Sequence, residues 1–296
     1  MRWTDRFDWQ SRTFVMGILN ATPDSFSGDG VLSGVDAVAS ALSLARAQLE
    51  AGADILDIGG ESTRPGALPL DAPAECARVV PVIEAVRAAF PDAILSIDTY
   101  RAAVAAAALD AGANIVNDVW ALRGDPDMAG LLAAREVPVI LMHNRSRPDD
   151  VSRAARIGAE YRGANYRDVV DEAAQALLAR IDAAVAAGIA RDRIVVDPGI
   201  GFGKTVTQNL ALINHLPRLK EIVDCPILVG PSRKSFIGRI LDVAVEDRLE
   251  GTAAAVAASA MRDADIVRVH DVKEMVRVVR VIDRLKAAPA DGGGSA

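Results

Sequence analysis

Four polar side chains of this sequence stand at or just after the ends of short apolar runs, and their chemical types suit a flat heterocyclic ligand. They are Asp98, Asn117, Asp197 and Lys234. Carboxylates accept hydrogen bonds from ring N–H and exocyclic amino groups, whereas an ammonium donates to a ring carbonyl or nitrogen. Because such side chains are costly to bury without partners, their position predicts a binding site.

A second set of residues, mostly cationic, suits an anion. It consists of Asn20, Thr63, Arg64, Arg268 and His270. His270 comes just before a predicted helix, and the free N–H groups at a helix N-terminus favour negative charge. Taken together, the two sets predict a ligand in which a heterocycle is joined to phosphate.

The glycine-rich segment Asp197–Lys204 has the sequence DPGIGFGK. It resembles the end of a nucleotide-binding P-loop, but Pro198 stands where that motif needs its first glycine. We therefore expect a tight turn whose backbone approaches a ligand, with a purely structural turn as the alternative. Lys204 is expected to be a solvated residue at the start of the following helix.

Eight short apolar runs, each followed by an Ala-rich helical stretch, would position these residues. The predicted strands are Thr13–Leu19, Asp54–Ile58, Ile94–Ile97, Ile115–Val119, Val137–Met142, Arg193–Val196, Pro226–Val229 and Ile266–Val269. Nearly continuous apolar runs are typical of strands that are covered on both faces. Gly52, Gly112 and Gly188 follow helical stretches at positions where left-handed glycine caps are common.

This alternation predicts an α/β protein with one (β/α)8 TIM barrel, a fold of roughly 250 residues. An open doubly wound sheet is the alternative, but the first strand is not followed by its G-x-G-x-x-G fingerprint. We assign the barrel to residues 13–287, an N-terminal extension to 1–12 and a flexible tail to 288–296. Residues 144–165 are expected to form an elaborated loop. In a TIM barrel the active site lies where the strands end, and both sets of polar residues fall there.

The composition excludes several classes of protein. A formal net charge of −7 argues against a nucleic-acid-binding surface, and 4% aromatic residues leave few platforms for stacked bases. Uncharged stretches are too short to span a membrane, and we read no signal peptide. Cys76 and Cys225 are too few for a disulfide framework or a four-thiolate metal site, so we expect reduced thiols in a cytoplasmic protein.

Seven motifs, in this order, resemble those of the dihydropteroate synthase family, which belongs to the pterin-binding barrel superfamily. They are MGILNATPDSFS (16–27), DIGGESTRPGA (57–67), SIDT (96–99), NDV (117–119), DPGIGFGKT (197–205), SRKSFIG (232–238) and RVHDV (268–272). The resemblance implies that 6-hydroxymethyl-7,8-dihydropterin pyrophosphate is joined to p-aminobenzoate with release of pyrophosphate. It also implies Mg²⁺ as the cofactor.

Roles follow from the resemblance by matching position. The pterin pocket would comprise Asp98, Asn117, Asp197 and Lys234, and the anion cradle Arg64, Arg268 and His270. Asn20 would bind the metal and pyrophosphate, and the p-aminobenzoate side would comprise Thr63, Pro65, Phe202, Ser232 and Ser235. We expect Lys234, Asp98 and Arg268 to be catalytic. Neither a Ser-His-Asp arrangement nor an activated cysteine is evident, so covalent catalysis is not required.

Two other functions remain as alternatives. One is a methyltetrahydrofolate-dependent methyltransferase of the pterin-binding barrel type, which would need no pyrophosphate cradle. The other is a non-catalytic pterin-binding paralogue. After the fifth strand the chain reads Met142-His143-Asn144, where the family often has Met-His-Met, and we expect His143 to be a hydrogen-bonded structural histidine.

The resemblance also makes a homodimer plausible. The predicted helices Glu246–Arg262 and Val272–Lys286 are rich in Ala and Val on more than one face, which suits burial against a partner. Packing within the barrel explains the same pattern nearly as well.

Overall fold

The computed structural model describes residues 7–9, 11–21, 34–61, 70–145, 151–154, 158–161 and 165–288. The strands are β1 Phe14–Asn20, β2 Ile55–Gly59, β3 Ile94–Asp98, β4 Ile115–Asp118, β5 Val139–Met142, β6 Val151–Ala154, β7 Gly158–Tyr161, β8 Ile194–Asp197, β9 Leu228–Val229 and β10 Ile266–Val269. The α-helices are α1 Gly34–Ala51, α2 Ala72–Ala89, α3 Ala102–Asp110, α4 Met128–Arg135, α5 Val169–Ala186, α6 Val206–Asn214, α7 Leu216–Val223, α8 Ser235–Leu241, α9 Leu249–Met261 and α10 Val272–Ala287.

Eight parallel strands of the described chain form one sheet in the order β8-β5-β4-β3-β2-β1-β10-β9. A parallel bridge between Val196 in β8 and Ile227, just before β9, joins the two ends of this sheet. The backbone N–H of Val196 also donates to the carbonyl of Pro226 at 2.9 Å. The predicted (β/α)8 TIM barrel in a single domain is therefore confirmed.

The strands β6 and β7 form a separate antiparallel pair within residues 144–165, which we expected to be an elaborated loop. The predicted glycine caps are present, because Gly52, Gly112 and Gly188 all have positive φ angles of about 100°. Other helices begin at side-chain caps: Asp168 accepts from two backbone N–H groups of α5, and Thr205 and Gln208 form a capping box on α6.

Side chains that point into the barrel alternate with those that face the helices, as the two-residue period of a strand requires. The amino-terminal layer of the interior is apolar and is formed by Met16, Ile55, Ile115, Ile140, Val195, Leu228 and Ile266. Phe7, Trp9 and Phe14 pack against this layer, with Phe7 stacked on Trp9 at 5.0 Å between ring centroids. Phe7 is only 3% exposed, so part of the assigned N-terminal extension belongs to the core.

Cys76 and Cys225 are both free thiols. None of the helices in the described ranges is long and apolar enough to cross a membrane.

Candidate active site

The strand register turns the apolar interior into a polar one toward the carboxyl ends of the strands. Asp57 lies one inward position above Ile55 on β2, and Arg268 lies one above Ile266 on β10. Asp98 and Asn117 pair with each other across β3 and β4, and Asp197 ends β8. The four predicted residues that lie on strands therefore face the mouth of the barrel, where TIM-barrel enzymes have their active sites. They are Asp98, Asn117, Asp197 and Arg268.

Arg268 is the centre of a buried ion cluster. Its Nε donates to Asp57 Oδ2 at 2.6 Å, and its Nη2 donates to Asp98 Oδ2 at 2.7 Å. The Asn117 amide also donates to Asp57 Oδ2, at 2.9 Å. Arg268, predicted for the anion, thus holds the predicted pterin residue Asp98 directly and the pterin residue Asn117 through Asp57.

Asp57 was not among the predicted site residues, although it lies at the centre of this cluster and is 0% exposed. The sequence contained a signal for it, because a carboxylate inside the apolar run Ile55–Gly59 must have a buried partner. Asp57 lies in the middle of β2, whereas the predicted site residues stand at or just after the ends of the apolar runs.

Burial shapes the electrostatics of the cluster. It raises the pKa of Asp98 to about 7, and the negative charge of Asp57 adds to this, whereas Arg268 opposes it. Burial also raises the pKa of Asp197, although the N–H of Gly199 donates to its carboxylate at 2.6 Å. Burial lowers the pKa of the Arg268 guanidinium, but the negative charges of Asp57 and Asp98 outweigh this effect. The pKa of Arg268 therefore lies above its usual value.

Lys234 lies over Phe202, with Nζ 4.2 Å from the centre of the ring, a cation–π distance. The turn next to it needs glycine: Gly201 has φ +85°, and a Cβ there would lie 2.8 Å from Lys234 Cδ. The predicted tight turn at 197–204 is therefore present, and its backbone approaches a site side chain closely. Ser235 follows Lys234 and begins α8.

The loops after β9 and β10 are joined by two contacts. Ser232 Oγ lies 3.0 Å from His270 Nδ1 and accepts the His270 backbone N–H at 3.2 Å. Arg233 forms a bidentate ion pair with Asp271 through Nε and Nη2. Ser232 and His270, predicted for different substrates, are therefore in direct contact, and the Arg233–Asp271 pair beside them was not predicted.

Lys204 corrects a prediction, because it is buried rather than solvated. It is 6% exposed, and its ammonium donates to the carbonyls of Gly199, Phe202 and His143 at 2.8, 3.0 and 3.4 Å. His143 is also buried, and burial followed by the nearby Lys204 charge lowers its pKa to about 2. A backbone hydrogen bond with Pro198 opposes this lowering of the pKa, although among the described residues neither ring nitrogen has a partner in close hydrogen-bond geometry.

Thr63, Arg64 and Pro65 lie outside the described residues. The residues before and after this segment are held by Arg101, which donates to Glu61 Oε2 and to the Leu70 carbonyl, both at 2.6 Å. Arg101 also pairs with the buried carboxylate of Glu75.

Asn20, the predicted metal residue, lies half-buried at the end of β1 and pairs in register with Gly59. Within the part of the chain that the structure describes, no group of three or more His, Cys, Asp or Glu residues is arranged to hold a metal. Asn20 offers a single hard amide oxygen. That donor fits Mg²⁺, which usually keeps several waters and binds substrate phosphates together with one or two protein ligands.

Fold and site together define a TIM-barrel enzyme whose mouth offers carboxylates and an amide for a heterocycle beside cations for an anion. The family model described as "Pterin binding enzyme" matches residues 16–270. The dihydropteroate synthase of Clostridium beijerinckii is 44% identical over 278 residues, which cover 94% of this chain and 96% of that protein. The dihydropteroate synthase of Bacillus subtilis is 43% identical, covering 94% and 90%.

Solved structures give the same result. The Xanthomonas albilineans dihydropteroate synthase with 4-aminobenzoic acid matches with a TM-score of 0.84 and 43% identity, covering 94% of each chain. The same enzyme in complex with 7,8-dihydropteroate matches with a TM-score of 0.81 and 40% identity, covering 94% of this chain and 95% of that one. The chain belongs to the pterin-binding enzymes and, within them, to the dihydropteroate synthase family.

Proposed function

We propose that this chain condenses 6-hydroxymethyl-7,8-dihydropterin pyrophosphate with p-aminobenzoate to give 7,8-dihydropteroate and pyrophosphate. The observation that carries the proposal is the buried cluster of Asp57, Asp98, Asn117 and Arg268 at the mouth of the barrel. In this cluster the hydrogen-bonding groups for a heterocycle are in direct contact with the guanidinium of Arg268. A pterin that bears pyrophosphate requires such groups next to a cation. The identity of 43–44% to dihydropteroate synthases along most of the chain supports the same activity.

In this proposal the pterin is held by Asp98, Asn117, Asp197 and Lys234. The two carboxylates accept from ring N–H and amino groups, and the lysine donates to the ring carbonyl or a ring nitrogen. Their burial supports this role, because hydrogen bonds in a low-dielectric pocket discriminate strongly against ligands that leave them unpaired.

Pyrophosphate would be bound by Arg64, Arg268 and His270. Arg268 is suitable because its Nε and Nη2 are used by Asp57 and Asp98, so the guanidinium is already oriented before a ligand arrives. We include Mg²⁺ in the proposal, with Asn20 as a ligand; when bound, it would neutralise charge on the leaving pyrophosphate.

The reaction then needs no covalent intermediate with the protein. The bond from the pterin methylene carbon to pyrophosphate oxygen breaks first, and the arylamine nitrogen attacks that carbon and loses a proton. The arylamine is already nucleophilic, so the site has to orient it rather than deprotonate it strongly. Thr63, Pro65, Phe202, Ser232 and Ser235 are proposed for this side of the site.

A pyrophosphate-release assay run with and without p-aminobenzoate, together with detection of 7,8-dihydropteroate, tests the function. We expect product and sustained, multiple-turnover release of pyrophosphate only with both substrates, and loss of most activity in Lys234→Ala. Lys273→Ala is the matched control, since Lys273 is exposed on α10. Folded protein that makes no product would reject the proposal, and pterin binding without turnover would favour the non-catalytic paralogue.

We also propose a homodimer formed through α9 and α10. Met261, Val281 and Leu285 on these helices are large apolar side chains with 44%, 59% and 58% exposure. Light scattering that gives a strictly monomeric mass would contradict this. A cytoplasmic location is part of the proposal and agrees with the free thiols of Cys76 and Cys225.

A further inference from the structure

Lys204 is a buried ammonium for which the proposed reaction has no use. Its three N–H donors have three acceptors, all of them main-chain carbonyl oxygens: Gly199 at 2.8 Å, Phe202 at 3.0 Å and His143 at 3.4 Å. Burying a lysine is unfavourable, and here burial lowers its pKa to about 7. An apolar side chain would fill the space at less cost, so the charge calls for a reason.

The three carbonyls come from two separate segments of chain. His143 follows β5, whereas Gly199 and Phe202 belong to the turn after β8. These segments are in close contact, because a Cβ at Gly199 would overlap the His143 carbonyl oxygen. The buried Lys204 ammonium therefore links the turn to the end of β5 by binding carbonyls of both segments.

The opposite side of the turn is held by Asn209. Its Oδ1 accepts the N–H of Gly201 at 2.7 Å, and its Nδ2 donates to the Thr205 carbonyl at 2.9 Å. Asn209 is 1% exposed and lies on α6. The turn is thus held from both sides, and Lys204 also ties it to His143, the residue after β5.

This turn carries groups of the proposed substrate site at both ends. Asp197 precedes it and accepts the N–H of Gly199, whose carbonyl Lys204 binds. At the other end of the turn, the Phe202 carbonyl accepts from Lys204, and the Phe202 ring lies under Lys234 Nζ. A shift of the turn would therefore move the Gly199 N–H away from the Asp197 carboxylate and the Phe202 ring away from Lys234.

We propose that Lys204 is a positioning residue for pterin binding, whose ammonium ties the turn at 199–202 to the end of β5 and so places Asp197 and Phe202 beside Lys234. The role rests on the proposed function, because the site that Lys204 would hold is the proposed pterin site. Pterin binding is measurable without turnover, so a failure of the synthase reaction alone would leave this proposal open to its own test.

Lys204→Met keeps most of the side-chain stem and removes the charge and all three donors. We expect it to bind 6-hydroxymethylpterin about tenfold more weakly or worse in calorimetry, because the loss of one well-aligned hydrogen bond between the ligand and a charged group weakens binding by about that factor. Lys273→Met, on the exposed face of α10, should bind as the unaltered protein does. Lys204→Arg keeps the charge and donors and should recover part of the loss.

The pH dependence separates positioning from simple packing. The charged or titratable groups around Lys204 are Asp197, Lys234, Arg145 and His143. Since the Lys204 ammonium is lost as pH rises through about 7, the ratio of unaltered to Lys204→Met affinity should shrink between pH 6 and pH 9. A packing role would leave this ratio constant.

A measurement on the unaltered full chain keeps the test decisive even where Lys204→Met does not fold. The sequence contains five lysines, so a protein labelled with ¹³C at lysine Cε gives few NMR signals. Linkage is reciprocal: if the charged form of Lys204 favours pterin binding, bound 6-hydroxymethylpterin must raise the Lys204 pKa. Folded Lys204→Met with unchanged affinity, or a Lys204 pKa that bound pterin leaves unchanged, would overturn the proposal.

Discussion

Replacing Asp57 by asparagine would test the buried ion cluster directly. The Asp57 carboxylate is completely buried, and its Oδ2 accepts from Arg268 Nε at 2.6 Å and from Asn117 Nδ2 at 2.9 Å. Removing one partner of a buried ion pair costs about 3–5 kcal/mol. Because Asp98 remains to pair with Arg268, we expect the lower end, a loss of about 3 kcal/mol in the free energy of unfolding.

Urea unfolding of the two proteins gives this difference, with Asp110→Asn as the control. Asp110 pairs with Arg135 on the surface, where side-chain exposures of 63% and 41% let water screen the pair. We expect no measurable change in that variant. An effect of Asp57→Asn as small as that of the control would refute the conclusion that the cluster holds the site together.

The same substitution has a pH signature through Asp98. Its pKa in the folded protein is about 7, above the value of an unfolded aspartate, so the folded state binds that proton more tightly. Asp98 therefore lowers stability as pH rises from about 4 to 7. Asp57→Asn removes a negative charge that raises the Asp98 pKa, so this decline should move to lower pH. Unfolding curves recorded in steps from pH 4 to pH 8 measure it.

Three further predictions follow from single contacts. Gly201→Ala should weaken pterin binding and destabilise the fold by about 1–2 kcal/mol, because its φ is +85° and its Cβ would press on Lys234; calorimetry and urea unfolding check both. Arg101→Met should cost about 3–5 kcal/mol in urea unfolding, since it leaves Glu75 buried without its cation; full stability would contradict this. Phe7→Ala should cost about 3 kcal/mol if the amino-terminal aromatic residues close the barrel core, and an unchanged urea midpoint would argue against it.

The sequence predicted the barrel because its evidence is local. Each strand is a short apolar run, and Gly52, Gly112 and Gly188 mark helix ends with a conformation that glycine adopts readily. The β6–β7 hairpin was missed because residues 144–165 are Arg-rich and largely polar, so the short apolar alternation of Ile157, Ala159 and Tyr161 did not stand out. The packing of Phe7 was missed because its partners come from several different strands at the amino-terminal end of the barrel, and no local pattern brings them together.

The errors within the site arise from contacts between distant parts of the chain. Lys204 precedes a helix, where a lysine is ordinarily solvated, and it is buried because its own turn folds over it and the His143 carbonyl approaches from the end of β5. Asp57 is 211 residues from Arg268 in sequence, and they meet because β1 pairs with both β2 and β10. Strand patterns predict which residues face inward, but the partner of each inward charge depends on strand order and register.

The charges of the site also explain how an acidic protein can bind pyrophosphate next to carboxylates. Its buried or half-buried charged side chains at the barrel mouth include three acids and three bases: Asp57, Asp98, Asp197, Lys204, Lys234 and Arg268. Each acid lies within hydrogen-bonding or coulombic reach of a base. The carboxylates that suit a pterin are thus neutralised locally, and the net charge of −7 belongs to the rest of the chain. A phosphate-bearing substrate then meets a pocket whose acids are balanced, and local pairing rather than net charge decides which anion it accepts.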